Sequence, residues 1–424
     1  MRVHPALLMI VVWGLGGLAF IVLPYEFLTK KFSLYGALIL VLFIATFCIG
    51  SISSHRLAPK KIQPSRPPSS TSKIGLFLAT ISAVASICLA IDLFFFQEFG
   101  FNLSEAYSNR SGRAQAVLQG EALSSSLFFK FGFLTYPVSY VYLVWSIIYS
   151  KRTPIWLIVA FGILPAILAA MVLGGRTSIF STMLYFLLAV LTRGAMEAAG
   201  RKRGWKKYDF LPKGLILLAI ALFVVGVIYF VNVFIVRASF VGGTDEMLKL
   251  AGQNWGVTFN EDAANRMESI FGVKNTYLIF VFSWYYTQGE LIASIIFSEY
   301  SAGPMLGSYG VDVIAAFWRQ IDIGFMPNSN EGLIEIGTYG FFPSAFGSLY
   351  VDFLFGGLLV TFFWGWASGY VFRNARRGDD TRWRLITPFV TFGILLSLVN
   401  TPIGFSNGFI TYFWLFVCFL GSKR

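Results

Sequence analysis

Residues 177–192 read TSIFSTMLYFLLAVLT, residues 193–213 read RGAMEAAGRKRGWKKYDFLPK, and residues 214–236 read GLILLAIALFVVGVIYFVNVFIV. An apolar run of about 20 residues crosses the ~30 Å hydrocarbon core of a bilayer as a helix. The middle stretch, with Arg193, Arg201, Lys202, Arg203, Lys206, Lys207 and Lys213, is the kind of loop that stays cytoplasmic. Working outward, the alternation continues. Residues 53–73 carry Arg56, Lys60, Lys61, Arg66 and Lys73, residues 151–152 are Lys-Arg, 371–384 hold five arginines, and the chain ends Lys423-Arg424. The spans this predicts are 5–27, 32–52, 74–97, 126–149, 153–173, 177–194, 213–236, 345–370, 385–401 and 406–421. Every second loop is basic, so both termini are expected in the cytoplasm. All acids except Glu197, Asp209, Asp379 and Asp380 then fall on the other side.

Composition agrees. The 424 residues are 56% hydrophobic and 13% charged, far from soluble averages. The expectation is an all-α polytopic membrane protein of about ten transmembrane helices. Its first run lacks a small-residue cleavage site and reads as a retained helix. Cys48, Cys88 and Cys418 lie inside predicted spans, which argues against a disulfide framework or a cysteine metal site. The net charge of +12 suits loops lying against anionic lipid, and the short basic loops do not read as a nucleic-acid module.

Three regions follow. Residues 1–236 hold helices 1–7 with an external loop at 98–125, whose EAYSNRSGRAQAVLQGEAL suits an amphipathic surface helix. Residues 237–344 form a long external, periplasmic loop, partly helical and rich in Trp, Tyr and Phe, so a functional role is favoured over disorder. Residues 345–424 hold helices 8–10 and a cytoplasmic tail. Within the long loop, 277–298 are apolar enough to enter the bilayer, yet a full crossing would place the 371–384 arginines outside. They are expected to be re-entrant or interfacial, interrupted at Thr287-Gln288-Gly289-Glu290.

Several charged residues face outward on this map. Gly174-Gly175-Arg176-Thr177 is a turn between two spans. Arg176 reads either as an interfacial anchor or as an anion site, where a guanidinium grips phosphate oxygens beside two glycines at a helix start. Arg110 and Arg113 share a face if their loop is helical, unless they pair with Glu105 or Glu121. Arg237 emerges at the end of a span and is equally readable as a snorkelling anchor. Arg266 and Arg319 lie in the long loop among acids that would pair with them. Asp312, Asp322, Glu331 and Glu335 fall near Trp318, Tyr339 and Tyr350. A carboxylate there would take a proton from a sugar hydroxyl, although solvated or paired acids are commoner. Asp92, near a span end, needs a reason to be in the bilayer.

Some chemistries are disfavoured. His4 and His55 both fall on the cytoplasmic side, so no outward histidine base, zinc site or Ser-His-Asp triad is expected. No P-loop, GxSxG or HExxH pattern occurs, nor an outward Asp-x-Asp pair. An enzyme of this kind would work without metal or other cofactor, on a substrate already carrying a good leaving group.

Three stretches carry a resemblance: GGRTSIFSTMLYFLLAVL at 174–191, VDVIAAFWRQIDIGFMPNSNEG at 311–332, and TYGFFPSAFGSLYVDFLFGGLLV at 338–360. With the span number and the late external loop, they resemble the bacterial O-antigen and oligosaccharide repeat-unit polymerases (Wzy-type). Trp318-Arg319 stands where that family often has Pro-Arg. Tyr350, Asp352 and Phe353 match its closing Tyr-x-Asp-Phe, and Arg110 and Arg113 fall where members often carry arginines. The resemblance implies an inner-membrane glycosyltransferase with a periplasmic active site, working in lipopolysaccharide or exopolysaccharide biosynthesis. It would join glycan repeat units carried on undecaprenyl diphosphate, beside a flippase and a chain-length regulator of the same pathway. Arg176 and Arg319 would stabilise the diphosphate, with Arg110, Arg113, Arg237 and Arg266 in substrate binding. Glu335, Asp312 and Asp322 are candidate bases. Trp255, Tyr285, Tyr286, Trp318, Tyr350 and Asp352 would contact substrate. The alternatives are an O-antigen ligase, which usually shows a histidine in the long loop, and a transporter or flippase of lipid-linked glycans, which usually shows ionisable residues deep in its spans.

Overall fold

The computed structural model describes residues 3–54, 73–97, 126–149, 154–201, 213–311, 314–315, 331–377 and 382–422. Among them eight helical segments are long and apolar enough to cross a membrane. The chain is an all-α polytopic membrane protein carrying one two-stranded ribbon. The elements run α1 (Pro5–Val22), β1 (Tyr25–Phe27), α2 (Leu34–Ser53), α3 (Lys73–Ile91) with a π-turn over Asp92–Phe96, α4 (Leu127–Thr135) and α5 (Val138–Tyr149). They continue with α6 (Ile155–Leu173), α7 (Thr177–Arg201), α8 (Lys213–Ser239), α9 (Thr244–Trp255), β2 (Val257–Phe259), α10 (Glu261–Phe271) and α11 (Val273–Glu299). The last are α12 (Glu331–Glu335), α13 (Ser344–Phe353), α14 (Gly357–Arg377), α15 (Arg382–Leu395) and α16 (Phe405–Gly421).

The bundle has a basic end and a loop-rich end. The Cys48 thiol donates to the Ala6 carbonyl, which brings the end of α2 beside the start of α1. At the same end Arg193 caps α5 by donating to the Ile148 carbonyl at 2.6 Å, a cation on the carbonyls of a helix C-terminus. The opposite end gathers the α1–α2 turn, the α6–α7 turn and the elements from α9 to α13.

Helix α5 is the axis of one core, buried along its whole length among side chains of α3, α6, α7, α15 and α16. A second core joins α1, α2, α11, α13 and α14. In it α2 and α14 run parallel and very close. A Cβ on Gly365 would lie 2.1 Å from the Phe47 carbonyl oxygen and one on Gly369 2.2 Å from that of Ser51. Small residues four apart bring membrane helices together in this way. By contrast α8 leaves Leu217, Val225 and Ile228 more than half exposed, the surface a helix offers to lipid.

Two expectations are corrected. The segment at 277–298 is not interrupted: α11 is one continuous helix of 27 residues. Thr287 and Gln288 are satisfied in place. Thr287 shares a hydrogen bond with Tyr25 at 3.0 Å, and Gln288 Oε1 accepts from the Phe342 amide. Gly289 serves close approach to the Leu398 carbonyl rather than a break. Both ends of α11 stay at the loop-rich end. Tyr277 near its start donates to the Phe234 carbonyl in the last turns of α8, and Ser294 near its finish accepts from the Ser33 amide in the α1–α2 turn.

The span expected at 345–370 is not one straight helix. The chain turns at Leu354, whose φ is 49°, and α13 folds back against α14. The Phe346 and Trp364 rings lie 6.1 Å apart, where a straight helix would separate them by about 27 Å. Among the described residues the first eight of the ten expected spans meet the length for a crossing. α15 and α16 have 14 and 17 residues, and α15 contains Pro388 and passes into a 3-10 turn at Leu396–Leu398.

Candidate functional site

The site begins at the α6–α7 turn. Gly174 takes a left-handed conformation with φ 55°, and the Gly175 amide returns to the Ala170 carbonyl at 3.1 Å, so α6 closes in a Schellman-type cap. The Tyr229 hydroxyl of α8 donates to the Gly175 carbonyl at 3.3 Å and fixes the turn to its neighbour. Arg176 therefore stands just before α7, its carbonyl accepting from the Phe180 amide at 3.0 Å.

Its guanidinium is held by aromatic side chains. The carbon lies 4.1 Å from the Phe234 ring centroid, 5.1 Å from Tyr285 and 6.0 Å from Phe230, within cation–π range. Its Nη2 donates to the Tyr285 hydroxyl at 3.1 Å. This group belongs to three elements far apart in sequence: a turn, the end of α8 and the middle of α11. Arg237, half-buried, follows Phe234 by three residues in the last turn of α8 and so shares its face.

Tyr285 is also one wall of a cleft of about 250 Å³, lined by Asn254, Trp255, Trp284, Gln288 and the stretch Tyr339–Phe342. Trp255 is held flat on Phe280, 6.2 Å away and inclined by 12°, and Tyr285 leans on Phe342 at 5.9 Å. The β1–β2 ribbon supports this floor, with Tyr25 stacked on Phe259 at 5.6 Å. Lys30 closes the rim: its ammonium lies 4.6 Å from the Phe341 ring centroid and donates to the Gly337 carbonyl. Burial pushes the Lys30 ammonium below the ordinary lysine value, while Glu299 opposes the shift. Aromatic faces with a few amide groups are suited to a ring that is apolar on its faces and hydroxylated at its edges.

Of the residues singled out in the sequence, the structure thus brings Arg176, Tyr285 and Trp255 together, with Arg237 on the adjoining face. Tyr286 is 40% exposed on another side of α11, Arg266 is exposed on α10, and Glu335 is exposed on α12. Tyr350 packs into the second core against Phe297 at 5.0 Å and Phe355 at 5.5 Å. The Asp352 carboxylate accepts from the Tyr309 and Gly310 amides, each at 2.9 Å, and ties the chain after α11 to α13. These two residues hold the scaffold rather than line the cleft. Arg110, Arg113, Asp312, Trp318, Arg319 and Asp322 lie outside the described residues. Asp92 is buried and accepts from Gln97 and from Ser126, the residue that caps α4, so its place in the bilayer has a structural reason.

Sequence reasoning missed Asn254, Trp284, Gln288 and Phe342 as cleft residues: Trp284 and Gln288 lie four apart on α11, while Asn254 and Phe342 reach the cleft from elements distant in the chain. It also passed over Glu290, buried on α11 beside Gly16 and Gly17, whose Oε1 makes no hydrogen bond. An acid inside an apolar run was its signal. Among the described residues no group of three or more His, Cys, Asp or Glu is placed to hold a metal ion. Compared with family models, curated proteins and solved structures, the chain finds no match.

Proposed function

We propose that this protein is a glycan polymerase of the bacterial inner membrane, joining oligosaccharide repeat units carried on undecaprenyl diphosphate at the periplasmic face. The observation that carries the reading is the sharing of Tyr285 between an arginine at a membrane-surface turn and a cleft of aromatic and amide side chains. One half suits a diphosphate, the other a sugar.

In this reading a hydroxyl oxygen of the acceptor's non-reducing-end sugar attacks the anomeric carbon of the donor chain. The bond from that carbon to the phosphate oxygen breaks, and the diphosphate leaves on its lipid with the bonding pair. Arg176 stabilises the developing negative charge through preorganised, charge-assisted hydrogen bonds. The hydroxyl proton passes to a carboxylate, for which Glu335, Asp312 and Asp322 are the candidates. Trp255 and Tyr285 offer ring faces to the sugars, while Asn254 and Gln288 read hydroxyls. Arg319, Arg110, Arg113 and Arg237 assist with the two diphosphates, with Arg266 and Trp318 in the long loop. The lipid-linked glycans pass to the enzyme from a flippase, and a chain-length regulator acts on the product.

The test is glycan polymerisation by the purified protein on undecaprenyl-diphosphate-linked repeat units with EDTA present. A ladder of lengthening glycans is expected. Units that stay single would sink the proposal, and their movement across liposome bilayers would put a flippase in its place.

A further inference from the structure

Below the Arg176 turn, α6, α7 and α8 enclose a second cavity of about 270 Å³. Ile163 and Ile167 come from α6, Ile179 and Thr182 from α7, and Leu222 and Val225 from α8. Except for the Thr182 hydroxyl and the Tyr229 phenol at its top, everything lining it is apolar. It opens sideways, since Ile167 is 37% and Val225 62% exposed.

Its position gives it a ligand. From Leu222 to Tyr229 the groove follows α8 for seven residues, about 10 Å along the helix axis. At its upper limit Tyr229 donates to the carbonyl of Gly175, the residue next to Arg176. The next residue of α8, Phe230, lies under the Arg176 guanidinium. An apolar trough open to lipid thus ends at Tyr229, one residue along α8 from the ring beneath a cation, the complement of a lipid with a long hydrocarbon tail and an anionic head. A cation set above an apolar channel favours a diphosphate over a singly charged headgroup, because each added phosphate charge strengthens the head contact.

We infer that the α6–α7–α8 groove seats the first isoprene units of a polyprenyl diphosphate whose head rests on Arg176. This rests on the proposed function and adds to it the path of a lipid carrier. Val225 and Ile167 form the lateral entry, Ile179 packs on the tail one turn below the head, and Tyr229 marks the boundary between tail and head.

The experiment uses the full-length protein in nanodiscs of phosphatidylethanolamine and phosphatidylglycerol, with undecaprenyl diphosphate bearing a diazirine on its head-proximal isoprene units. Labelled peptides are mapped by mass spectrometry, with unlabelled undecaprenyl diphosphate or extra phosphatidylglycerol as competitor. Expected are adducts in 163–182 and 222–229, displaced by the unlabelled diphosphate and not by phosphatidylglycerol. Ile179→Trp and Val225→Trp, which fill the groove, should each weaken binding about tenfold, equivalent to losing roughly two buried methylenes. Val227→Trp, on α8 but outside the groove lining, should bind normally, and unchanged melting temperatures would exclude misfolding. Labelling elsewhere, or equal displacement by phosphatidylglycerol, overturns the inference. Because binding is read without turnover, the two claims separate. Labelling without polymerisation keeps the groove and removes the polymerase, and polymerisation without labelling does the reverse.

Discussion

Arg176 is where the chain concentrates charge against aromatic surface, and its geometry predicts how substitutions behave. In the proposed mechanism the guanidinium fixed by Tyr285 and Phe234 would meet phosphate oxygens in a fork, which an ammonium cannot copy. Arg176→Ala is expected to lower polymerisation by roughly a hundredfold or more while the protein still reaches the membrane. Arg176→Lys should recover little of that loss. Full activity in Arg176→Ala, measured on lipid-linked repeat units, removes the residue from the mechanism. Glu290 behaves differently. Its carboxylate is 6% exposed and one oxygen makes no hydrogen bond, so ionising it there is costly. Glu290→Gln keeps the shape without the charge, and its melting temperature in detergent should equal or exceed that of the native protein. A clear fall would mean that the ionised carboxylate contributes to the stability of the fold. The turn that carries Arg176 was legible in the sequence because Gly-Gly-Arg between two spans is a local pattern. The roles of Tyr350 and Asp352 were not, since whether a tyrosine packs inward or lines a cleft depends on elements distant in the chain.

At the scale of elements, two close approaches hold the second core. Gly365 and Gly369 of α14 lie against the backbone of α2, where no side chain fits. Gly369→Leu would drive a Cβ to 2.2 Å from the Ser51 carbonyl oxygen, and fixed backbone cannot step aside as a side-chain end can. We expect a loss of about 3 kcal/mol, read as a lowered melting temperature and poor yield. Substitution at Gly14, which meets nothing within 4 Å, is the matched control and should be tolerated. The folded-back α13 shows where reading the sequence stopped. The run from 344 to 370 is mostly apolar, with Asp352 its one charged residue, and apolarity alone does not distinguish a straight helix from two that double back. The reversal at Leu354 puts a left-handed residue where the sequence offers no glycine, a local strain that packing of Phe346 between Trp13, Phe43 and Trp364 sustains.

For the whole molecule the sharpest test concerns α11. Its 27 residues would reach about 40 Å, long enough to cross a bilayer, yet its contacts keep both ends beside the same loops. In a protein whose Cys48, Cys88 and Cys418 are replaced, Lys274→Cys and Glu299→Cys should both react with a membrane-impermeant thiol reagent from the same side of the membrane. Reaction from opposite sides would make α11 a span and reverse the placement of the 371–384 arginines. With α11 lying across the loop-rich end, Tyr285 meets Arg176 on one of its sides and the cleft on another, which makes it the element that assembles the site.

The sequence by itself determined the class of protein, because burial in hydrocarbon demands long apolar segments and excludes charge from them. It also marked one arginine at a turn, because glycines and a cation between two spans are visible locally. Only the tertiary structure decided that α11 runs unbroken, that α13 turns back, and which aromatic residues face a cleft rather than a core. Those outcomes depend on side chains hundreds of residues apart filling one another's space, and one-dimensional spacing carries no record of that fit.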